Sequence, residues 1–141
     1  MCGIAGTLDM RADATVDAGV LEQMTETLRH RGPDIGGTWV DGGVGLGSRR
    51  LAVIDLTERA RQPLTNEDGR IRVVFNGEIY NFRELRAELE AKGHRFRSDT
   101  DTEVIVHLYE EEGEACVQRL DGMFAFALWD AGARQLLLAR D

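Results

Sequence analysis

The sequence predicts an α+β domain in which antiparallel strands flank a pair of helices. Three observations predict it. Strand-like runs stand towards both ends of the chain, two helical patterns follow one another between them, and 43% apolar residues with only 2 prolines suit a folded chain of 141 residues. No repeat, low-complexity tract or internal linker divides it, so one domain with its own core is expected.

Each element has a local reason. GIAGTLD (3–9) reads as a short strand whose glycines mark a place where another backbone or a ligand comes close. From Val16 to Leu28 the apolar residues Leu21, Met24 and Leu28 fall on one helical stripe, and RHRGPD (29–34) ends that helix. VGLGSRRLAVI (44–54) is strand-like, and after a polar loop Ile71–Asn76 is strand again, with Asn76-Gly77 following. Asn81 with Glu84 forms a capping-box pattern for a helix carrying Phe82, Leu85 and Leu89, closed by Gly93. Thr100 with Glu103 repeats the pattern for a helix that buries Val104, Ile105, Leu108 and Tyr109 and stops at Gly113. MFAFALWD (123–130) and QLLLARD (135–141), joined by a short turn, read as a hairpin. The chain stops on LLLARD, at the end of a strand with no polar tail, so a further strand is expected and the sequence reads as part of a longer gene product.

Composition excludes several classes. Seventeen basic against 25 acidic residues give a net charge of −8, and no basic stripe forms, which argues against nucleic acid as a partner. The apolar runs are strand-sized and no leader pattern opens the chain, so no membrane association and a cytoplasmic location are expected. Cys2 and Cys116 make no disulfide framework, and the three histidines show no zinc spacing with them, so no metal is expected. The glycines of GGVGLGS (42–48) do not open a helix, so they make no dinucleotide loop.

Chemistry concentrates at Cys2. Small second residues are those from which the initiator Met is trimmed, and an N-terminal cysteine then carries both a thiol nucleophile and an α-amine, of pKa about 8, to take its proton. The plainer alternative is a small apolar residue at the start of a strand. Attack on a carboxamide needs two fixed donors for the oxyanion, and Asn76 with its side-chain NH2 and Gly77 with its bare N–H supply them. NG usually marks a hairpin, but EIYN here leads into a helix. Arg49-Arg50 interrupts an apolar strand, and alternation lets only one of them face a site. Glu78 and Asp101 read either as helix-start caps or, with an inward arginine, as the complement of an α-amino acid. His30 lies at a turn between two arginines, a cationic setting that disfavours a Cys–His pair, and Cys116 reads as core.

Taken together, MCGIAG, RHRGPD, RRLAVIDL, NGEIYN, SDTDTEVIVHLYEE and GMFAFALWD resemble, in order and spacing across essentially the whole chain, the glutaminase domain of class II glutamine amidotransferases, and most closely their asparagine synthetase branch. The resemblance implies a four-layer αββα sandwich (the N-terminal nucleophile hydrolase fold), here without its C-terminal strands, over residues 2–141. It implies Cys2 as nucleophile, Asn76 and Gly77 as the oxyanion hole, and Arg50 for the glutamine α-carboxylate. It gives Glu78 and Asp101 to the α-ammonium, with Asp99 an alternative register, and lines the pocket with Leu51, Val53 and Ile54. L-glutamine is the implied substrate, and a synthetase domain, normally in the same chain, the implied consumer of ammonia. That domain would make asparagine from aspartate with ATP and Mg. This sequence holds no SGGxDS-type loop, so no cofactor is expected of these residues themselves. A homodimer is compatible with the resemblance, as are an amidotransferase of the same class with another acceptor and a non-catalytic glutamine-binding module.

Overall fold

A computed structural model describes residues 1–141. The strands are β1 (Gly3–Leu8), β2 (Ile35–Asp41), β3 (Val44–Arg50), β4 (Leu64–Thr65), β5 (Ile71–Ile79), β6 (Gly122–Asp130) and β7 (Gln135–Arg140). The helices are α1 (Ala18–Glu26), α2 (Phe82–Ala91) and α3 (Glu103–Glu112), with 3₁₀ turns at Glu58–Ala60 and Gly113–Arg119. All strand pairing is antiparallel, in a three-stranded sheet β1-β3-β2 and a four-stranded sheet β4-β5-β6-β7. Helix α1 lies on the first sheet, α3 packs on β4 and β5 of the second, and β5 touches both β1 and β3, so the order of layers is α, β, β, α.

Two apolar clusters hold the layers. The larger one joins the second sheet to its helices: Val73, Phe75 and Ile79 of β5 and Phe124, Phe126 and Leu128 of β6 meet Leu85 and Leu89 of α2 and Ile105 and Leu108 of α3. Truncating a residue such as Phe126 to Ala there costs about 3–5 kcal/mol. The smaller one fills the space between the sheets with Val44 and Leu46 against Val74 and Trp129. Period-two alternation follows: odd residues of β5 face the helices, whereas Val74, Asn76 and Glu78 share the face turned towards the first sheet.

The structure departs from the sequence expectations in several places. Helix α1 buries Leu21 and Thr25 rather than Met24. The reason is Gly47: a Cβ there would stand 2.1 Å from Thr25 Oγ1, so the bare glycine admits the threonine, which donates to Leu21 O at 2.8 Å. Neither capping box forms. Asn81 instead donates to Arg119 O at 2.9 Å and accepts from Asp121 N at 3.1 Å, and Glu103 accepts from the backbone N–H groups of Arg97 and Ser98, each at 2.8 Å. Strand β3 ends at Arg50, because the Arg50 guanidinium donates to the carbonyls of Ile54 and Asp55 and curls the next residues into a loop. Cys116 is core, as expected, and burial with the nearby Glu112 charge pushes its thiol up to about 11.

Candidate active site

A cavity of about 540 Å³ opens between the two sheets, and Cys2, Arg50, Leu51, Val53, Asn76, Gly77, Glu78 and Asp101 all line it. Seven segments meet there: the N-terminus, the end of β3 with its following loop, Gln62 ahead of β4, β5, the approach to α3, β6 and the end of β7.

Cys2 precedes β1 and is half-buried, with Sγ 3.9 Å from Leu51 O. Its carbonyl accepts from Arg31 Nε at 3.0 Å, so the second arginine of RHRGPD fixes the residue's backbone. Sequence reasoning read that motif only as a turn. His30 is turned away, with Nδ1 3.0 Å from Thr27 O, and does not line the cavity.

Asn76 and Gly77 lie inside β5, opposite Ala125 and Phe124, and not beyond the strand's end as the sequence suggested. Asn76 Oδ1 is buried without a hydrogen-bond partner, so the amide is held by packing at the cavity wall. Gly77 has φ +156°, and a Cβ would stand 2.1 Å from Met123 O and 2.7 Å from Phe124 Cα. Only glycine allows β5 to approach β6 this closely.

Alternation resolves the arginine pair. Arg49 donates to Gly32 O and Pro33 O at 2.9 and 3.0 Å, on the far side of the strand. Arg50 is buried and faces the cavity, bonded only to the two loop carbonyls. That loop is fastened twice: Asp34 Oδ2 accepts from Ala52 N at 2.9 Å, and Asp55 Oδ2 accepts from Asp99 N at 2.9 Å. The Thr57 hydroxyl and the Asp99 N–H hold the Asp55 carboxyl below its ordinary range. Leu51 and Val53, exposed on the same loop, form the outer wall.

On the opposite side Asp101 is buried and accepts from Ile79 N at 2.9 Å. Burial and, more weakly, the Glu78 charge push its carboxyl up, with the Ile79 hydrogen bond opposing. Asp99 does not line the cavity: its side chain is 89% exposed and pairs with Arg86 at 3.4 Å. Gln62, which sequence reasoning also missed, forms part of the cavity wall. Its Oε1 accepts from Ser48 Oγ of β3 at 3.2 Å and from Phe75 N of β5 at 2.8 Å, and so ties the two sheets together. The cavity therefore offers a thiol, an amide, the Arg50 guanidinium and the Glu78 and Asp101 carboxylates, groups whose charges are complementary to those of a zwitterionic amino acid.

Known proteins resemble this chain in sequence and in fold. The glutamine amidotransferase domain family matches residues 1–141. The whole chain is 43% identical to asparagine synthetase [glutamine-hydrolyzing] 3 of Bacillus subtilis, covering 23% of that protein, and 46% identical to asparagine synthetase [glutamine-hydrolyzing] 1 of Arabidopsis thaliana, covering 24% of it. It thus spans about a quarter of the length of the relatives it matches. Among solved structures, the glutamine phosphoribosylpyrophosphate amidotransferase of B. subtilis superposes with a TM-score of 0.77 at 20% identity, over 98% of this chain and 37% of that one, which places the fold. This chain belongs to the glutamine amidotransferase domain family and is homologous to asparagine synthetases that hydrolyse glutamine.

Proposed function

We propose that the cavity hydrolyses L-glutamine to glutamate and ammonia. The observation that carries the reading is that Cys2, Arg50, Leu51, Val53, Asn76, Gly77, Glu78 and Asp101 together line one cavity. Arg50 takes the α-carboxylate, Glu78 and Asp101 take the α-ammonium, and Leu51 and Val53 close over the side-chain methylenes. That pose lays the carboxamide towards Cys2.

With Met1 removed, the Cys2 α-amine accepts the thiol proton while Sγ attacks the carboxamide carbon. The oxyanion forms against the Asn76 side-chain NH2 and the Gly77 N–H. The ammonium then returns its proton to the nitrogen, the C–N bond breaks, and ammonia leaves a γ-glutamyl thioester. Water, deprotonated by the same amine, adds to the thioester, and glutamate departs as Sγ regains its proton.

Ammonia serves a synthetase domain, with aspartate as its acceptor and ATP and Mg belonging to that domain. Residues 2–141 form the glutaminase domain, and the two free thiols suit the cytoplasm. The test is Cys2→Ala in the full-length protein. Ammonia release from glutamine is lost while glutamine still binds within about threefold of the wild-type affinity. Undiminished release would overturn the assignment, and unprocessed Met1 in the active preparation would overturn the role of the amine.

A further inference from the structure

On the helical side of the second sheet, two histidines and two glutamates from three segments converge. Glu67 sits in the turn between β4 and β5, His94 just beyond α2, and His107 and Glu110 three residues apart on one face of α3. One ligand atom from each lies within 4.8 Å of the others.

The directions of the rings are informative. His94 Nδ1 is 3.5 Å from Glu110 Oε2 and 3.8 Å from Glu67 Oε1, and His107 Nδ1 is 3.2 Å from Glu110 Oε2 and 3.4 Å from Glu67 Oε2. Both Nδ1 atoms thus face the same two carboxylates. In a tetrahedral zinc site with bonds of about 2.0–2.2 Å, neighbouring ligand atoms stand roughly 3.3–3.6 Å apart. With one oxygen taken from each glutamate, three of these separations belong to a single ligand set and lie near that edge, and the remaining pairs stand no more than 4.8 Å apart.

The outer contacts fit as well. His94 Nε2 is 3.1 Å from Glu111 Oε1, and His107 Nε2, buried and without a hydrogen-bond partner, is 3.7 Å from Glu103 Oε1. A carboxylate behind each ring is the usual way an imidazole is oriented towards a metal. Asn66 Nδ2 donates to Glu110 Oε1 at 2.8 Å and Arg95 N to Glu67 Oε1 at 2.9 Å, which orients both carboxylates. Phe96 packs on the His107 ring at 4.5 Å.

We infer that Glu67, His94, His107 and Glu110 form a closed, four-ligand structural site for a zinc-class divalent cation, remote from the glutamine cavity. Two carboxylates and two neutral imidazoles balance a double charge, and the ligand types suit a borderline cation. His107 side-chain exposure is 1%, while Glu67 and Glu110 are 35% and 24% exposed, so the ion enters from the glutamate side. Bound there, it pins the β4–β5 turn and the α2–α3 connection to α3, whose N-terminal approach carries Asp101. The expectation of no metal rested on spacing relative to the cysteines, which this site does not use.

The test uses full-length protein freed of metal with a chelator and then titrated with Zn²⁺ by calorimetry and with Co²⁺ by visible absorption. One ion per chain binds, Co²⁺ gives the intense visible bands of a tetrahedral site, and Zn²⁺ raises Tm. Glu67→Gln, on a part-exposed side chain, and His94→Gln each weaken binding at least tenfold with an unchanged circular dichroism spectrum. No binding at 0.1 mM Zn²⁺, or affinity unchanged in both variants, would overturn the proposal. A thiolate-to-Co²⁺ charge-transfer band in the near ultraviolet would place the ion on Cys2 and overturn it equally.

Discussion

Asn76→Ala separates catalysis from stability. Removing one oxyanion donor costs about 10²–10³ in kcat, equivalent to about 2.7–4 kcal/mol. The stability effect has the opposite tendency. Asn76 Oδ1 is buried and unpaired, and such an atom costs about 1–3 kcal/mol in the folded state, which alanine relieves. Against this stands the loss of a few van der Waals contacts at a half-open cavity wall, about 1 kcal/mol. The net change is between zero and about 2 kcal/mol of stabilisation, so Tm stays unchanged or rises. The assay is steady-state ammonia release from glutamine beside thermal unfolding, on full-length protein with Met1 removed. The expected result is a kcat at least 100-fold lower, KM within threefold, and Tm unchanged or raised. A kcat drop of less than tenfold would refute the oxyanion role. A large drop accompanied by a Tm lowered by several degrees would show that Asn76 acts through the fold instead.

Three further outcomes follow from the same geometry. Gly77→Ala drives a Cβ to 2.1 Å from Met123 O and unfolds at lower denaturant, by at least about 2 kcal/mol in chemical denaturation, because β5 and β6 must separate. Asp101 holds its proton more tightly folded than unfolded, so its contribution weakens stability as pH rises from the ordinary aspartate value of 3.8 through its raised folded value. Asp101→Asn keeps an acceptor for Ile79 N–H, gains stability over wild type only above pH 3.8, and raises KM for glutamine, as paired unfolding and kinetic pH series would show. Arg31→Gln loses the charge-assisted bond to Cys2 O and lowers kcat about tenfold with Tm within a few degrees, while Arg31→Lys restores part of the rate.

What the sequence revealed depended on how local the cause was. Strands β5 and β6 and helices α2 and α3 carry strong apolar periodicity and were legible, and so was the need for a single inward arginine at Arg49-Arg50, though the resemblance and not alternation singled out Arg50. Strand β2 was not read at all, because Gly36 and Gly37 interrupt its alternation. Gly37 is bare because a Cβ would stand 2.0 Å from Gln62 O, a contact between residues 25 positions apart. The capping-box patterns misled for two reasons: Asn81 is taken by Arg119 and Asp121, 38 and 40 positions away, and Glu103 reaches back past Thr100 to the N–H groups of Arg97 and Ser98. Arg31 and Gln62 act on the site through backbone atoms brought near only by folding. The site residues were named through the resemblance, while the residues themselves left Glu78 and Asp101 open as caps.

The central claim, that Cys2 becomes a working N-terminal nucleophile in a formed glutamine pocket, is tested most directly by an intact mass spectrum taken before and after exposure to an electrophilic glutamine analogue. The expected spectrum shows a chain lighter by one methionine that gains a single adduct, with no adduct in Cys2→Ala and protection by excess glutamine. A retained Met1, or a processed chain that gains no adduct, would contradict it.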